Sequence, residues 1–188
     1  MAPFLRRVAG NRLPLALLRH PVRFVGALLR RDVDQVKALA CGAVRGLEES
    51  VLAREGEAFA RRVHEGWLRP DTVARLRRHR ELGHRVVLVS ASLEPYLTPL
   101  GALLGVDGVV CTRLELGRDG RATGKLGSAN CRGPEKERRL RAWLEREGLA
   151  GAELWAYGDS AGDQELLGMA EHPQRVDGVM LPAEPADT

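Results

Sequence analysis

Apolar residues recur at helical spacing through the first 83 residues of the chain, and short apolar runs replace them afterwards. The start and stop signals predict helices over residues 4–30 with breaks near Pro14 and Pro21, over 32–47 with Asp32 or Asp34 as the cap, from Ser50 onward, and over Val73–Leu82 with Asp71 as the cap and Gly83 as the end. The pattern therefore predicts a helical domain over residues 1–83.

The second half alternates predicted strands with predicted helices. Short apolar runs of the kind found in buried parallel strands are Val86–Val89, Val109–Cys111, Leu154–Tyr157 and, more weakly, Gln174–Val176. Helices are expected over 94–104 and from Pro134 to Gly148, and a hairpin joins Leu114–Leu116 to Ala122–Gly124. Alternating strands and helices predict an α/β domain over residues 84–188, with a doubly wound, mostly parallel sheet.

Composition places the chain among ordinary globular proteins. Of 188 residues, 44% are apolar and 29% are charged, which excludes a disordered or collagen-like chain. Three widely spaced cysteines fit neither a disulfide framework nor a zinc site. Because no apolar run approaches the roughly 20 residues of a membrane helix, we expect a soluble cytoplasmic protein.

Charge is distributed unevenly along the chain. Residues 1–83 carry 17 Lys and Arg against nine acids, whereas residues 84–188 carry 12 against 16. The basic half is explained either by arginine-rich solvated helix faces or by a partner, which would be a nucleic acid, a phosphorylated substrate or, through weak contact, a membrane surface. Only eight aromatic residues are present and no nucleic-acid motif occurs, so we expect no nucleic-acid partner.

Two acids follow a predicted buried strand. In Gly158–Asp163 the carboxylates of Asp159 and Asp163 stand four residues apart, at the sheet edge where ligands of such folds bind. One interpretation is a magnesium site, because Mg²⁺ takes few carboxylates together with water and phosphate oxygens. The other is a turn in which one of these acids caps the next helix.

Two further residues lie at positions suited to a phosphate group. Ser90 follows the Val86–Val89 run, where a hydroxyl and backbone N–H groups would cradle phosphate oxygens, and Lys136 lies in the first turn of the Pro134 helix. Taken singly, Ser90 is also explained as an ordinary helix cap, and Lys136 is also explained as a solvated surface lysine.

The order of these features resembles a known family. The motifs are Val87–Ser92, Asp119–Gly124, Glu135–Lys136 and Gly158–Asp163. They are similar to the later motifs of the haloacid dehalogenase-like (HAD) hydrolase superfamily, in its phosphoserine-phosphatase-like branch, and residues 1–83 resemble that branch's helical cap. The resemblance implies that Ser90 and Lys136 grip the transferring phosphate and that Asp159 and Asp163 hold Mg²⁺.

The family's first motif does not occur ahead of the cap. That motif is an apolar central strand ending in Asp-x-Asp-x-Thr, which supplies the nucleophilic aspartate. Asp32-Val33-Asp34 has similar spacing, but Arg30 and Arg31 precede it where a buried strand would be apolar, and a helix follows. The resemblance therefore implies an N-terminally truncated chain that lacks the nucleophile and the central first strand.

The leading hypothesis is a magnesium-dependent phosphomonoester hydrolase. Its substrate would be a small phosphomonoester or a phospholipid headgroup phosphate. The alternatives are a non-catalytic remnant that binds phosphate or a protein partner, and a module that binds membrane surfaces through the basic helical half.

Overall fold

The computed structural model describes residues 1–176 and Gly178. Within them the helices are α1 (Ala2–Ala9), α2 (Arg12–Leu18), α3 (Pro21–Leu29), α4 (Val33–Cys41), α5 (Glu49–Gly66), α6 (Pro70–Glu81), α7 (Glu94–Leu104), α8 (Pro134–Arg146) and α9 (Gln164–Gly168). The strands are β1 (Val87–Leu93), β2 (Gly108–Thr112), β3 (Leu114–Leu116), β4 (Ala122–Leu126), β5 (Trp155–Gly158) and β6 (His172–Arg175). No helix in this described part is long and apolar enough to cross a membrane.

The chain forms two compact units, each assembled from several segments. The first unit contains Met1–Arg62, Ser92–Leu100 and Thr112–Asn130. The second contains Val63–Ala91, Gly101–Cys111 and the described residues from Cys131 onward. Both units draw residues from either side of position 83, so the division into functional domains over 1–83 and 84–188 stays a prediction.

The first unit is built around three aromatic rings. Phe4 of α1, Phe59 of α5 and Tyr96 of α7 lie with their ring centroids 5.0 to 5.5 Å apart. All three are buried, and tilted or edge-on arrangements of this kind are the favoured ones for aromatic side chains. The core of this unit therefore joins helices that are distant in sequence.

The predicted hairpin is confirmed in the first unit. β3 and β4 pair antiparallel, with Leu114 opposite Leu126 and Leu116 opposite Ala122. Gly120 in the connecting turn has φ 71°, a left-handed conformation that glycine adopts without strain.

Helix starts agree with the predictions only in part. Asp32 is the N-cap of α4 and accepts the Gln35 N–H at 2.9 Å, as expected. The predicted cap Ser50 lies inside α5, which already begins at Glu49. Asp71 does not cap α6 either, because Pro70 takes the first helical position and moves the cap to Arg69.

The core of the second unit gathers around α8. Its buried members are Val110, Cys131, Leu140, Trp143, Leu144, Ala156 and Leu166. They come from β2, β5, α8, α9 and the segment before α8, so strands and helices share one apolar core, as an α/β fold requires.

The strands pair two by two, whereas the sequence predicts one continuous sheet. Among the described residues, β1 pairs with β2, β3 with β4, and β5 with β6. β5 and β6 run parallel, with Trp155 opposite His172 and Gly158 opposite Arg175. The architecture is thus a mixed α/β fold with N-terminal helices and small sheets.

Candidate functional site

The first turn of α8 carries a buried ammonium group. Gly133, at φ 57°, turns the chain into the helix, and Pro134 occupies its first position. Lys136 then lies two residues inside the helix with 7% of its surface exposed. Its Nζ donates to the Val89 carbonyl at 3.0 Å and forms a short hydrogen bond to the Asp163 carboxylate. Lys136 therefore links β1 to the loop that follows β5.

The hydrogen bonds that Asp163 accepts favour its ionised form. Besides Lys136, the main-chain N–H and the hydroxyl of Ser160 both donate to its Oδ2, which makes a capping box at a short 3₁₀ turn. Burial alone would raise the pKa of Asp163, but the hydrogen bonds from Lys136 and Ser160 outweigh it and lower the pKa below its usual value.

Close packing around this loop requires glycine at two positions. A Cβ atom on Gly158 would lie 2.6 Å from the Cβ of Asp163. A Cβ on Gly162 would lie 2.9 Å from Nε of Arg132, whose side chain runs across the loop. The structure thus brings Arg132 to the same loop as Lys136 and Asp163, and the sequence reasoning did not identify it. The signal available was its place directly before Gly133-Pro134.

The two predicted metal ligands have different environments. Asp159 follows β5 directly and is exposed, whereas Asp163 is buried and already bonded to Lys136 and Ser160. Among the described residues no group of three or more His, Cys, Asp and Glu side chains could hold a metal ion. Asp159 is then the one available carboxylate of the pair. The residues present do not fit a complete magnesium site.

Ser90 occupies a different backbone position from the predicted one. β1 continues through Leu93 and α7 begins only at Glu94, so Ser90 lies within the strand rather than at the opening of a helix. The strand extends because Ser90-Ala91-Ser92 contains no residue that interrupts pairing. Lys136 donates to the carbonyl of Val89, which is the residue directly before Ser90. The two predicted phosphate ligands are therefore connected through Val89.

A cavity of about 570 Å³ lies beside the same loop in the second unit. One long wall is formed by residues 84–89, which lead into β1, and the other by residues 152–157, which lead into β5. The remaining walls come from α6, α8 and α9, among them Thr72, His79, Leu140, Trp143, Leu144 and Leu166. The cavity is therefore bounded by a strand on each side and by helices on its faces.

The β5 edge that lies away from β6 carries main-chain groups without a strand partner in the described part of the chain. The Leu154 carbonyl accepts the His172 N–H at 3.0 Å, and the Gly158 carbonyl accepts the Val176 N–H at 2.9 Å. Since main-chain groups alternate sides along a strand, those of Trp155 and Tyr157 point to the opposite edge.

The β1 edge behaves in the same way. The Val86 carbonyl accepts the Asp107 N–H at 2.8 Å on the β2 side, so the main-chain groups of Val87 and Val89 point away from β2. The bond from Lys136 to the Val89 carbonyl agrees with this direction. We call the cavity between these two edges the strand slot.

A hydrogen-bonded cluster forms one wall of the strand slot. The His79 Nε2 lies 2.7 Å from the Tyr157 hydroxyl, and its Nδ1 lies 2.9 Å from the Nδ1 of His84. Arg75 donates to the same hydroxyl at 3.2 Å. Burial and the neighbouring His84 and Arg75 lower the pKa of His79 to about 4, so the His79 imidazole is neutral at pH 7.

Comparison with known proteins relates this arrangement to a family. A family model described as haloacid dehalogenase-like hydrolase matches residues 1–168. Protein CicA of Caulobacter vibrioides is 34% identical over 169 residues, which are 89% of this chain and 75% of CicA.

Two solved structures have a similar fold. A protein of unknown function from Bordetella pertussis superposes with a TM-score of 0.67 at 25% identity, over 92% of this chain and 80% of that one. A probable phosphoserine phosphatase from Vibrio cholerae gives a TM-score of 0.61 at 17% identity, over 90% of this chain and 50% of that one. The chain belongs to the haloacid dehalogenase-like hydrolases, and its fold is that of their phosphoserine phosphatase-like members.

Proposed function

We propose that this chain supplies the phosphate-binding part of a magnesium-dependent phosphomonoester hydrolase, and that a strand outside residues 1–188 supplies the nucleophile. The observation that carries the proposal is the buried Lys136 ammonium, which joins β1 to the loop Gly158–Asp163. A charge fixed in a place of low dielectric stabilises the developing charge of a transferring phosphoryl group.

Lys136, Ser90 and Arg132 are the proposed phosphate ligands. Lys136 acts as a point charge that Asp163 holds in position. Ser90 offers its hydroxyl from β1, and Arg132 offers a guanidinium beside Gly162. A phosphate group bound here would meet two cations and one hydroxyl, which suits a dianionic ester.

Magnesium belongs to the proposal through the family, whose members typically depend on it. Asp159 is the carboxylate that would contact the ion, while Asp163 positions Lys136 and would support the site indirectly. The remaining oxygen ligands would come from the phosphate, from water and from residues outside this chain. Bound Mg²⁺ would supply neutralisation of phosphoryl oxygens.

The strand slot supports the location of the missing strand. One strand residue in a covered sheet fills about 4.8 Å × 10 Å × 3.3 Å, or roughly 160 Å³. The 570 Å³ of the slot thus takes about four strand residues, within the six residues that line each of its long walls. With a strand there, β1 and β5 would join one doubly wound sheet, and residues 1–83 would form its cap.

The proposed substrate is a phosphomonoester, as the sequence predicts. A small phosphomonoester or a phospholipid headgroup phosphate would present the same dianion to Lys136 and Arg132. The V. cholerae structure with a similar fold is a probable phosphoserine phosphatase, which favours the small ester.

The test is to supply the strand and measure hydrolysis. An apolar six-residue strand followed by Asp-x-Asp-x-Thr is joined ahead of residue 1 through a Gly/Ser linker of about 20 residues, long enough to reach any surface of a domain this size. We expect hydrolysis of p-nitrophenyl phosphate that requires magnesium and exceeds, by at least about tenfold, that of the matched fusion whose first Asp is Asn.

Two further variants sharpen this test. Lys136→Ala in the active fusion should reduce turnover strongly, whereas Lys125→Ala, at an exposed position of β4, should not. Equal rates in the Asp and Asn fusions, or no hydrolysis in a fusion that unfolds cooperatively, would show that the chain is not this kind of phosphatase.

A further inference from the structure

The segment from α2 to the first residue of α4 exposes apolar residues where a surface helix usually carries polar ones. Seven such residues between positions 15 and 33 have 52% to 85% of their surface exposed, namely Leu15, Leu18, Val22, Val25, Leu28, Leu29 and Val33. Their buried positions are taken by small residues, Ala16 on α2 and Ala27 on α3. We call this set of seven the exposed apolar face.

The spacing makes the exposed residues continuous along each helix. Leu15 and Leu18 are three residues apart on α2, and Val22, Val25 and Leu29 follow the i, i+3, i+7 pattern on α3. Since Phe24 and Ala27 occupy the other side of α3, this helix is apolar on two faces. A helix of that kind is normally covered on both.

Arginines outnumber acids around the exposed apolar face, in which only Val33 has acids beside it, Asp32 and Asp34. Residues 1–31 contain seven arginines and no Asp or Glu. Five of these arginines, Arg12, Arg19, Arg23, Arg30 and Arg31, are exposed on or next to α2 and α3. Within residues 1–176 none of the five has an ion-pair partner.

We propose that the exposed apolar face and its arginines bind the surface of an anionic lipid bilayer. The aliphatic side chains would enter the boundary between headgroups and acyl chains, and the arginines would reach the lipid phosphates. Each basic side chain near a negatively charged leaflet adds attraction, and two short helices lying flat would place all five there. The inference does not rest on the proposed phosphatase activity.

Charge and side-chain chemistry argue against other occupants. A second copy docking symmetrically would bring the same arginines against one another, because a two-fold interface uses the same patch twice. A nucleic acid would be bound through polar and aromatic side chains, whereas the exposed side chains here are aliphatic. The anionic bilayer satisfies both the charge and the apolar surface.

Vesicle sedimentation tests the proposal on residues 1–188. The probes are vesicles of phosphatidylcholine with phosphatidylglycerol and vesicles of phosphatidylcholine alone. We expect binding to the anionic vesicles to be at least about tenfold tighter than to the neutral ones, and to weaken as salt is added.

Two multiple variants separate the apolar and charged contributions. Val22→Ser with Val25→Ser and Leu29→Ser should weaken anionic binding by about tenfold or more, since three apolar side chains leave the interface. Arg23→Gln with Arg30→Gln and Arg31→Gln should weaken it to a similar extent. The matched controls are Leu103→Ser and Arg61→Gln with Arg62→Gln, exposed positions outside the face.

A tryptophan variant tests the proposal through a signal that appears on binding, so that loss of binding by a misfolded variant cannot be mistaken for support. Val22→Trp keeps the face apolar, and brominated phosphatidylglycerol should quench its added fluorescence, whereas that of Leu103→Trp should be unaffected. Equal binding to both vesicle types, loss in the arginine variant without loss in the serine variant, an unquenched Val22→Trp, or a stable dimer by sedimentation would each overturn the proposal.

Discussion

At the scale of single residues, the site is organised by one buried ion pair. Lys136 and Asp163 expose 9% and 6% of their side chains, and each has further hydrogen bonds, from Lys136 to the Val89 carbonyl and to Asp163 from Ser160. A buried charge persists in a fold when it is paired and its remaining hydrogen bonds are satisfied. This pair meets both conditions, so its two members depend on each other.

Removing either member should therefore be costly. We expect Lys136→Ala to lower the free energy of unfolding by about 3–5 kcal/mol, because the Asp163 carboxylate is then left buried and unpaired. Urea denaturation of the strand fusion, which is expected to unfold cooperatively, measures the change, and exposed Lys125→Ala should stay within about 0.5 kcal/mol of the parent fusion.

Acid provides a second check on the same pair. Because the folded pKa of Asp163 is lowered, its contribution is present above the unfolded pKa and is lost as the pH falls through the folded one. The gap between Lys136→Ala and the parent should narrow in that acidic range. A gap independent of pH, or one equal to that of Lys125→Ala, would mean that the pair does not stabilise the fold.

At the scale of elements, the sequence predicted what depends on local signals. The hairpin at Gly120, the Asp32 cap and helix 94–104 all follow from turn, cap or period, and all three are confirmed. The extension of β1 through Ser90 was missed, because pairing with β2 overrides the local boundary that two serines suggest. Arg132 was missed too, because only packing against Gly162 brings it to the site.

Helix α5 offers a sharp test of packing at this scale. A Cβ on Gly56 would lie 1.9 Å from the Pro95 carbonyl oxygen at the start of α7, so the two backbones touch where glycine stands. We expect Gly56→Ala to destabilise the protein by about 1–3 kcal/mol, because backbone has to move to admit the methyl group.

The same helix contains its own control. Gly66 has nothing within 4 Å of its added Cβ, so Gly66→Ala should be neutral or stabilise by up to about 1 kcal/mol through helix propensity alone. Thermal unfolding of both variants in the strand fusion gives the comparison. Similar changes at the two positions would contradict the close contact between α5 and α7.

At the scale of the whole molecule, the proposed phosphate-binding residues and the strand slot belong to the same unit. Lys136 contacts the β1 edge that faces the slot, and Asp163 follows the β5 edge that faces it from the other side. A single strand bound in the slot would thus both complete the sheet and supply the proposed nucleophile. The chemistry stays a prediction from the sequence motifs, whereas the slot became visible only through the pairing of the strands.

Hydrogen exchange reads out the slot amide by amide. In residues 1–188 we expect the amides of Val87, Val89, Trp155 and Tyr157 to exchange fast, because their strand edges face the slot, while Leu88 and Ala156 exchange slowly on the paired edges. If the proposed strand is missing, the absence of its four or so buried apolar side chains, at about 1.5–3 kcal/mol each, removes roughly 6–12 kcal/mol. Since a whole domain has about 5–15 kcal/mol of stability, the chain alone should also unfold with low cooperativity.

Supplying the strand should slow the exchange of these four amides and make unfolding cooperative. In the strand fusion, the amides of Val87, Val89, Trp155 and Tyr157 should slow by at least about tenfold, because they gain acceptors, and unfolding should become cooperative. The matched control has proline at alternate strand positions, which stays apolar but cannot complete a ladder. Selective protection of these four amides also distinguishes a strand from a small apolar molecule in the slot, which would raise the free energy of unfolding without protecting them selectively. If the four amides of residues 1–188 alone exchange as slowly as Leu88 and Ala156, or if both fusions behave alike, then no strand is missing between β1 and β5.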